Sequence, residues 1–180
     1  MPNPPLAILD FYGPKFFSSD FWSSPLPALA HFPHFGETFI SQIHNENPPN
    51  FTAMSLKRSS PDGEMPSLDF SQARNAWLFT ALKHGYHLQS VVRDGLYDRV
   101  DPSKPFSKNF PPACFIHGTA DNLVDFKFSE DAFHRLSECG VESKLVAVSD
   151  KGHGFDKELD QDSPLFSQIL TGLEFLANHV

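Results

Sequence analysis

The stretch Pro111-Pro-Ala-Cys-Phe-Ile-His-Gly-Thr-Ala-Asp-Asn-Leu-Val124 decides the fold. Its apolar centre, residues 113–116, reads as a short buried strand, and His117-Gly118 reads as the turn that closes it. Residues 129–139 then read as a helix. Ser129 is its cap, Glu130 and Asp131 lie in the first turn, Phe133 and Leu136 face inward, and Gly140 follows the end. Residues 144–148 give a second strand, followed by the loop Ser149-Asp-Lys-Gly-His-Gly-Phe-Asp156. A last helix starts at Ser163-Pro164, with proline in its first turn and Leu165, Ile169, Leu173 and Leu176 as an inward stripe. Strand, helix, strand, helix in this order predicts parallel strands joined by right-handed crossovers.

In such sheets ligands sit beyond the carboxyl ends of the strands. Asp121 follows the first of these strands and a glycine-flanked His153 follows the second, so both belong to one sheet edge. A carboxylate that fixes the tautomer of an imidazole is the back half of a hydrolytic triad. Asp125 is the runner-up for the acid, but it lies farther from the strand end. Either aspartate also has a plain reading as a turn residue, and His153 as a loop histidine.

Moving upstream, residues 98–112 form a polar, proline-containing connector. Residues 67–84 read as a helix capped by Ser67 or Asp69 and stopped by Gly85, and residues 87–93 as a short second one. Residues 48–68 carry turn chemistry, residues 37–47 allow a short helix, and residues 15–36 have no clean period. Leu6-Ala-Ile-Leu-Asp-Phe-Tyr12, closed by Gly13-Pro14, reads as another buried strand. The chain has 19 Phe and 16 Pro, and eleven of the prolines fall within residues 1–66. Proline lacks an N–H and fixes φ, so this segment is no continuous helix or central strand, yet its phenylalanines need burial. It reads as an ordered, irregular cover over an apolar space. Phe11, Phe16, Phe17, Phe21 and Trp22 are core first and an acyl pocket second.

The 180 residues fit one domain. A net charge of −8 disfavours nucleic acid, whose binding rests on clustered Lys and Arg. No run reaches the ~18 apolar residues of a membrane span, and no basic segment precedes an apolar one at the start. Cys114 and Cys139 make neither a disulfide framework nor a zinc site, so the expected compartment is the reducing cytoplasm. His31-Phe-Pro-His34 has metal-like spacing, but Pro33 prevents helical presentation and no carboxylates accompany it. No metal and no organic cofactor are expected.

Residues 111–124 resemble the acid-bearing strand and loop of α/β-hydrolases, in the esterase/lipase and prolyl-oligopeptidase-like branches. Lys151-Gly-His-Gly-Phe-Asp156 is similar to their histidine loop, and residues 6–14 to the strand after the nucleophile. The resemblance implies an α/β fold: the C-terminal half of an α/β-hydrolase, about three parallel strands with flanking helices. It makes residues 1–180 a single partial domain with an irregular, partly helical cap at 15–105. It implies Asp121 as acid, His153 as base, and a small-molecule ester or similar acyl bond as substrate, with no cofactor. The family order is Ser, then Asp or Glu, then His. No Gly-x-Ser-x-Gly occurs in this sequence, so the serine nucleophile and the oxyanion loop are expected upstream of residues 6–12. Cys114, inside a strand, and Ser18, Ser19, Ser23 and Ser24, without an elbow's glycines, are poor substitutes. The rival is a non-catalytic, truncated or degenerate module that binds a partner chain or an apolar small molecule. Without the strand that precedes it in the family, the strand at 6–12 is an exposed edge that invites association, whereas a covered edge favours the module.

Overall fold

The computed structural model describes residues 5–47, 68–158 and 162–179. The turn-rich stretch expected over 48–68 lies outside these residues apart from Leu68, as do residues 159–161. Among the described residues there are three strands, β1 (Ile8–Phe11), β2 (Ala113–Gly118) and β3 (Ser143–Val148). The α-helices are α1 (Glu37–Ile40), α2 (Ala73–His84), α3 (His87–Val91), α4 (Lys127–Glu138) and α5 (Phe166–Ala177). The chain divides into two compact units, one made of residues up to Ser18 and from Leu96 onward, the other of Ser19–Gly95.

The first unit holds the sheet. Its order is β1-β2-β3 and both pairings are parallel, Ile8 opposite Ala113 and Ala113 opposite Ser143. All six residues of β2 are buried, as a central parallel strand covered on both faces requires. The alternation of a strand then sorts its side chains. Ala113 and Phe115 cluster with Ala132 and Leu136 of α4, whereas Cys114 and Ile116 cluster with Phe175 of α5. Helices therefore cover opposite faces of one sheet, the α/β layering expected from the element order.

Four boundaries differ from the sequence reading. His117 and Gly118 are the last residues of β2 and not a turn; they pair with Ala147 and Val148, and the Thr119 N–H still donates to the Val148 carbonyl at 3.0 Å. Ser129 is not a cap. Helix α4 starts at Lys127, whose N–H donates to the Asp125 carboxylate at 2.9 Å, and Ser129 lies on the inward face with Ala132 and Leu136. Helix α5 starts at Phe166, beyond Pro164, and it buries Gly172 and Phe175 while Leu173 stands 47% exposed. The cause is close approach: a Cβ on Gly172 would lie 2.7 Å from methyl carbons of Ile116 and Leu9. Helix α2 starts at Ala73. Asp69 instead accepts from the Ser71 N–H at 3.0 Å in the preceding turn.

The second unit is helical and aromatic. Phe32 stacks on Phe79 of α2 with centroids 5.0 Å apart, and Phe70 meets both rings edge-on. Gly85 ends α2 at φ 74°, where a Cβ would overlap the Ser24 backbone.

Candidate active site

The carboxyl ends of the parallel strands lie on one edge of the sheet, and their loops are joined there. The Ala120 N–H donates to the Lys151 carbonyl at 3.0 Å, and the Asp150 N–H to the Thr119 hydroxyl at 2.9 Å. Gly118 permits this contact, because a Cβ there would overlap the Lys151 backbone. Asp150 and Gly154, at φ 57° and 75°, turn the second loop around the histidine.

Asp121 is held in a tight turn, its Oδ1 accepting from the N–H groups of Leu123 at 2.9 Å and Val124 at 3.0 Å. Its side chain has no exposed surface. The other oxygen, Oδ2, lies 2.8 Å from His153 Nδ1. Burial pushes the Asp121 pKa up, but the hydrogen bonds from His117, His153 and the two N–H groups outweigh it and hold the carboxyl well below the usual range. With Nδ1 committed to Asp121, Nε2 of His153 is the nitrogen left to exchange a proton with a reacting group. His153 keeps 28% of its side chain exposed, so it is reachable.

Tyr12 forms the third side. It follows β1 at φ 41°, uncommon for a non-glycine residue, and its ring lies 4.4 Å from that of His153. Its hydroxyl donates to Asp156 Oδ1 at 2.6 Å. Burial and this carboxylate both raise the phenol pKa.

The sequence reading missed His117. Its Nε2 lies 3.2 Å from Asp121 Oδ2 and 3.0 Å from the Val124 carbonyl, and its Nδ1 lies 2.7 Å from Ser129 Oγ. Lys15, 2% exposed, donates to Ser129 Oγ at 3.3 Å and to the Gly13 carbonyl at 2.6 Å, and pairs with Asp10 Oδ2 at 3.4 Å. Burial lowers the Lys15 pKa against the pull of Asp10. One signal for this network is in the sequence: a strand-end histidine on the Phe115 side must meet polar partners, and Ser129 occupies the inward stripe of α4. Ser129, His117 and Asp121 mimic a triad in outline. Ser129 and His117 have no exposed surface, however, so no substrate carbonyl reaches that hydroxyl.

The other candidates have different places. Asp125 binds the Lys127 N–H at the start of α4. Cys114 is fully buried and burial raises its thiol pKa, which removes it as a nucleophile. Ser19 accepts from the Phe21 N–H, and Ser23 and Ser24 donate to the Asp20 carbonyl. His31 and His34 are exposed. Of the aromatic set, Phe16 packs on Phe106 and Phe128 in the first unit, and Phe21 on Trp22 in the second. Among the described residues no cluster of His, Cys, Asp or Glu suits a metal ion, and no helix is long and apolar enough to cross a membrane.

The family model described as the prolyl oligopeptidase family matches residues 60–179. The non-reducing polyketide synthase ausA of Emericella nidulans is 26% identical over 208 residues, covering 98% of this chain and 8% of that protein. The non-reducing polyketide synthase prhL of Penicillium brasilianum gives the same figures. The 5-methylorsellinic acid synthase of Aspergillus terreus is 24% identical over 214 residues, with 99% of this chain and 8% of that protein covered. The chain thus spans about 8% of the length of the curated relatives it matches. Among solved structures, the native esterase Est2 of Thermogutta terrifontis is 25% identical with a TM-score of 0.43, over 51% of this chain and 34% of that one.

Proposed function

Since the chain belongs to the prolyl oligopeptidase family, an α/β-hydrolase family, we propose that it carries the acid and base of a serine hydrolase that cleaves an acyl bond. Asp121 holds His153 in the Nδ1–H tautomer and balances the imidazolium that forms. His153 Nε2 takes the proton of a serine hydroxyl during attack and returns it to the leaving group. The serine and the oxyanion donors come from residues outside these 180. The observation that carries this reading is the 2.8 Å contact between His153 Nδ1 and an Asp121 carboxylate whose side chain has no exposed surface. Likeness to polyketide synthases over nearly the whole chain favours an ester or thioester of a polyketide acyl group over a peptide bond. We take residues 15–105 as the cap, as the resemblance implies; Ser19–Gly95 within them form the separate second unit. Free thiols at Cys114 and Cys139 suit a cytoplasmic setting.

A gain-of-function fusion tests this. The portion of the Emericella nidulans synthase that directly precedes the aligned stretch is placed ahead of residue 5. The fusion is expected to hydrolyse p-nitrophenyl butyrate and a short acyl thioester, and His153→Ala to abolish that turnover. Equal turnover with His153→Ala would refute the reading.

The absence of Gly-x-Ser-x-Gly from the sequence favours a second reading, a non-catalytic module that binds a partner chain or an apolar small molecule. A folded fusion that binds the thioester without turning it over would select it.

A further inference from the structure

The geometry points to His117 as a positioning residue: its imidazole is locked as the Nε2–H tautomer by a buried Lys15–Ser129 pair, and it holds the Asp121 carboxylate in the orientation that meets His153. This inference rests on the reading of Asp121 and His153 as acid and base.

The donors and acceptors leave one consistent assignment. His117 Nε2 faces two groups that only accept, the Asp121 carboxylate at 3.2 Å and the Val124 carbonyl at 3.0 Å, so Nε2 carries a proton. On the other side Nδ1 faces Ser129 Oγ at 2.7 Å. That oxygen also faces the Lys15 ammonium, which only donates. The hydroxyl therefore accepts from Lys15 and turns its own hydrogen to Nδ1, which stays unprotonated. The Gly13 carbonyl, Ser129 Oγ and Asp10 Oδ2 all lie within reach of the Lys15 Nζ. The Phe115 ring lies 5.3 Å away.

The consequence falls on Asp121. Its Oδ1 is tied to its own turn, and its Oδ2 is shared by two imidazole N–H groups, one buried and one at the surface. The turn fixes one end of the carboxylate, and His117 fixes its rotation. His153, the exposed partner, then meets an oxygen that is already placed.

Ring-nitrogen NMR of the chain labelled with ¹⁵N-histidine tests this without any turnover. At neutral pH the expected pattern for His117 is a pyrrole-type Nε2 and a hydrogen-bonded, pyridine-type Nδ1. A proton on Nδ1, alone or with one on Nε2, would overturn the tautomer lock. Ser129→Ala removes a single oxygen and is expected to move the Nδ1 resonance to that of an unbonded pyridine-type nitrogen; an unmoved resonance would also overturn it. The positioning role is read from solvent exchange of the His153 Nδ1 proton. His117→Phe is expected to speed that exchange by about tenfold or more, the factor expected from losing one charge-assisted hydrogen bond. His117→Gln, which keeps an N–H donor, is expected to restore much of the protection. Unchanged exchange in a folded His117→Phe would remove the role. Should that variant not fold, the wild-type tautomer and Ser129→Ala still decide the lock. Asp121→Asn separates the two readings. Exchange that responds to Asp121 but not to His117 refutes only the positioning role, whereas exchange that ignores Asp121 refutes the acid–base pair itself.

Discussion

The hydroxyl of Tyr12 donates to the carboxylate of Asp156 at 2.6 Å, tying the end of the first strand to the histidine loop across 144 residues of sequence. The bond holds a tyrosine at φ 41° with its ring against His153. Tyr12→Phe keeps the ring and removes the bond. It is expected to destabilise the chain by about 1.5–3 kcal/mol, the range of a hydrogen bond to a charged group, and to raise amide exchange in residues 152–156. Urea unfolding and hydrogen exchange measure both, and unchanged values would show that the ring alone holds the loop.

Gly118→Ala places a methyl group on the Lys151 backbone, which cannot rotate aside as a side chain can. The two loops must part. The expected result is a loss of about 1–3 kcal/mol, the usual cost of overpacking a tight contact, with a weakened His153–Asp121 hydrogen bond seen by NMR. A variant as stable as the parent with that bond intact would show that the loops are not mutually braced.

Acid should unfold the first unit early. Asp121 and Asp101 both have pKa values lowered in the folded state, Asp101 through hydrogen bonds from Ser103, Phe17 and Phe16 that outweigh its burial. A carboxyl whose folded pKa lies below its unfolded one binds more protons when unfolded at low pH. Its contribution is complete above about pH 4 and is lost as the pH falls through the folded pKa. Thermal melts from neutral pH down to about pH 3 are therefore expected to show falling stability. Asp121→Asn, already less stable at neutral pH, should show a shallower fall. An unchanged slope would contradict the assignment.

Among the described residues β1 pairs only with β2, Leu6 stands 66% exposed beside it, and Leu173 of α5 is 47% exposed. An apolar edge of this kind is a template for association. The chain on its own is expected to elute above monomer size in a concentration-dependent way, and Leu6→Lys with Leu173→Lys to shift it toward monomer. A sharp monomer peak at all concentrations would show that the edge is covered.

The sheet and the two loop residues were legible because their signals are local. An apolar tetrapeptide, a helix of correct spacing and a second apolar run place Asp121 and His153 on one edge without knowledge of any contact. Of the expected stripe on α5 only Leu173 faces outward, because periodicity alone does not show that Gly172, having no side chain, makes the close approach to Ile116 and Leu9. Ser129 looked like a cap because serine favours caps; burial beneath His117 overrides that preference. His117 itself was hidden by its neighbour. A histidine before glycine at a strand end reads as a turn, and only the register with Ala147 shows that the strand continues through it. The Lys15 contact, 114 residues distant from Ser129, has no local signature at all.

In the proposed hydrolase, Asp121 and His153 act as one unit on a serine supplied from outside these residues. A double-substitution cycle in the fused hydrolase, reading kcat/KM on a short acyl thioester, tests it most directly. His153→Ala is expected to lower kcat/KM by at least about a thousandfold, and Asp121→Asn to cost most of the same factor, as members of a triad do. The double variant is then expected to be no slower than His153→Ala alone. Multiplying effects, or an Asp121→Asn enzyme that keeps the parent rate, would contradict the account.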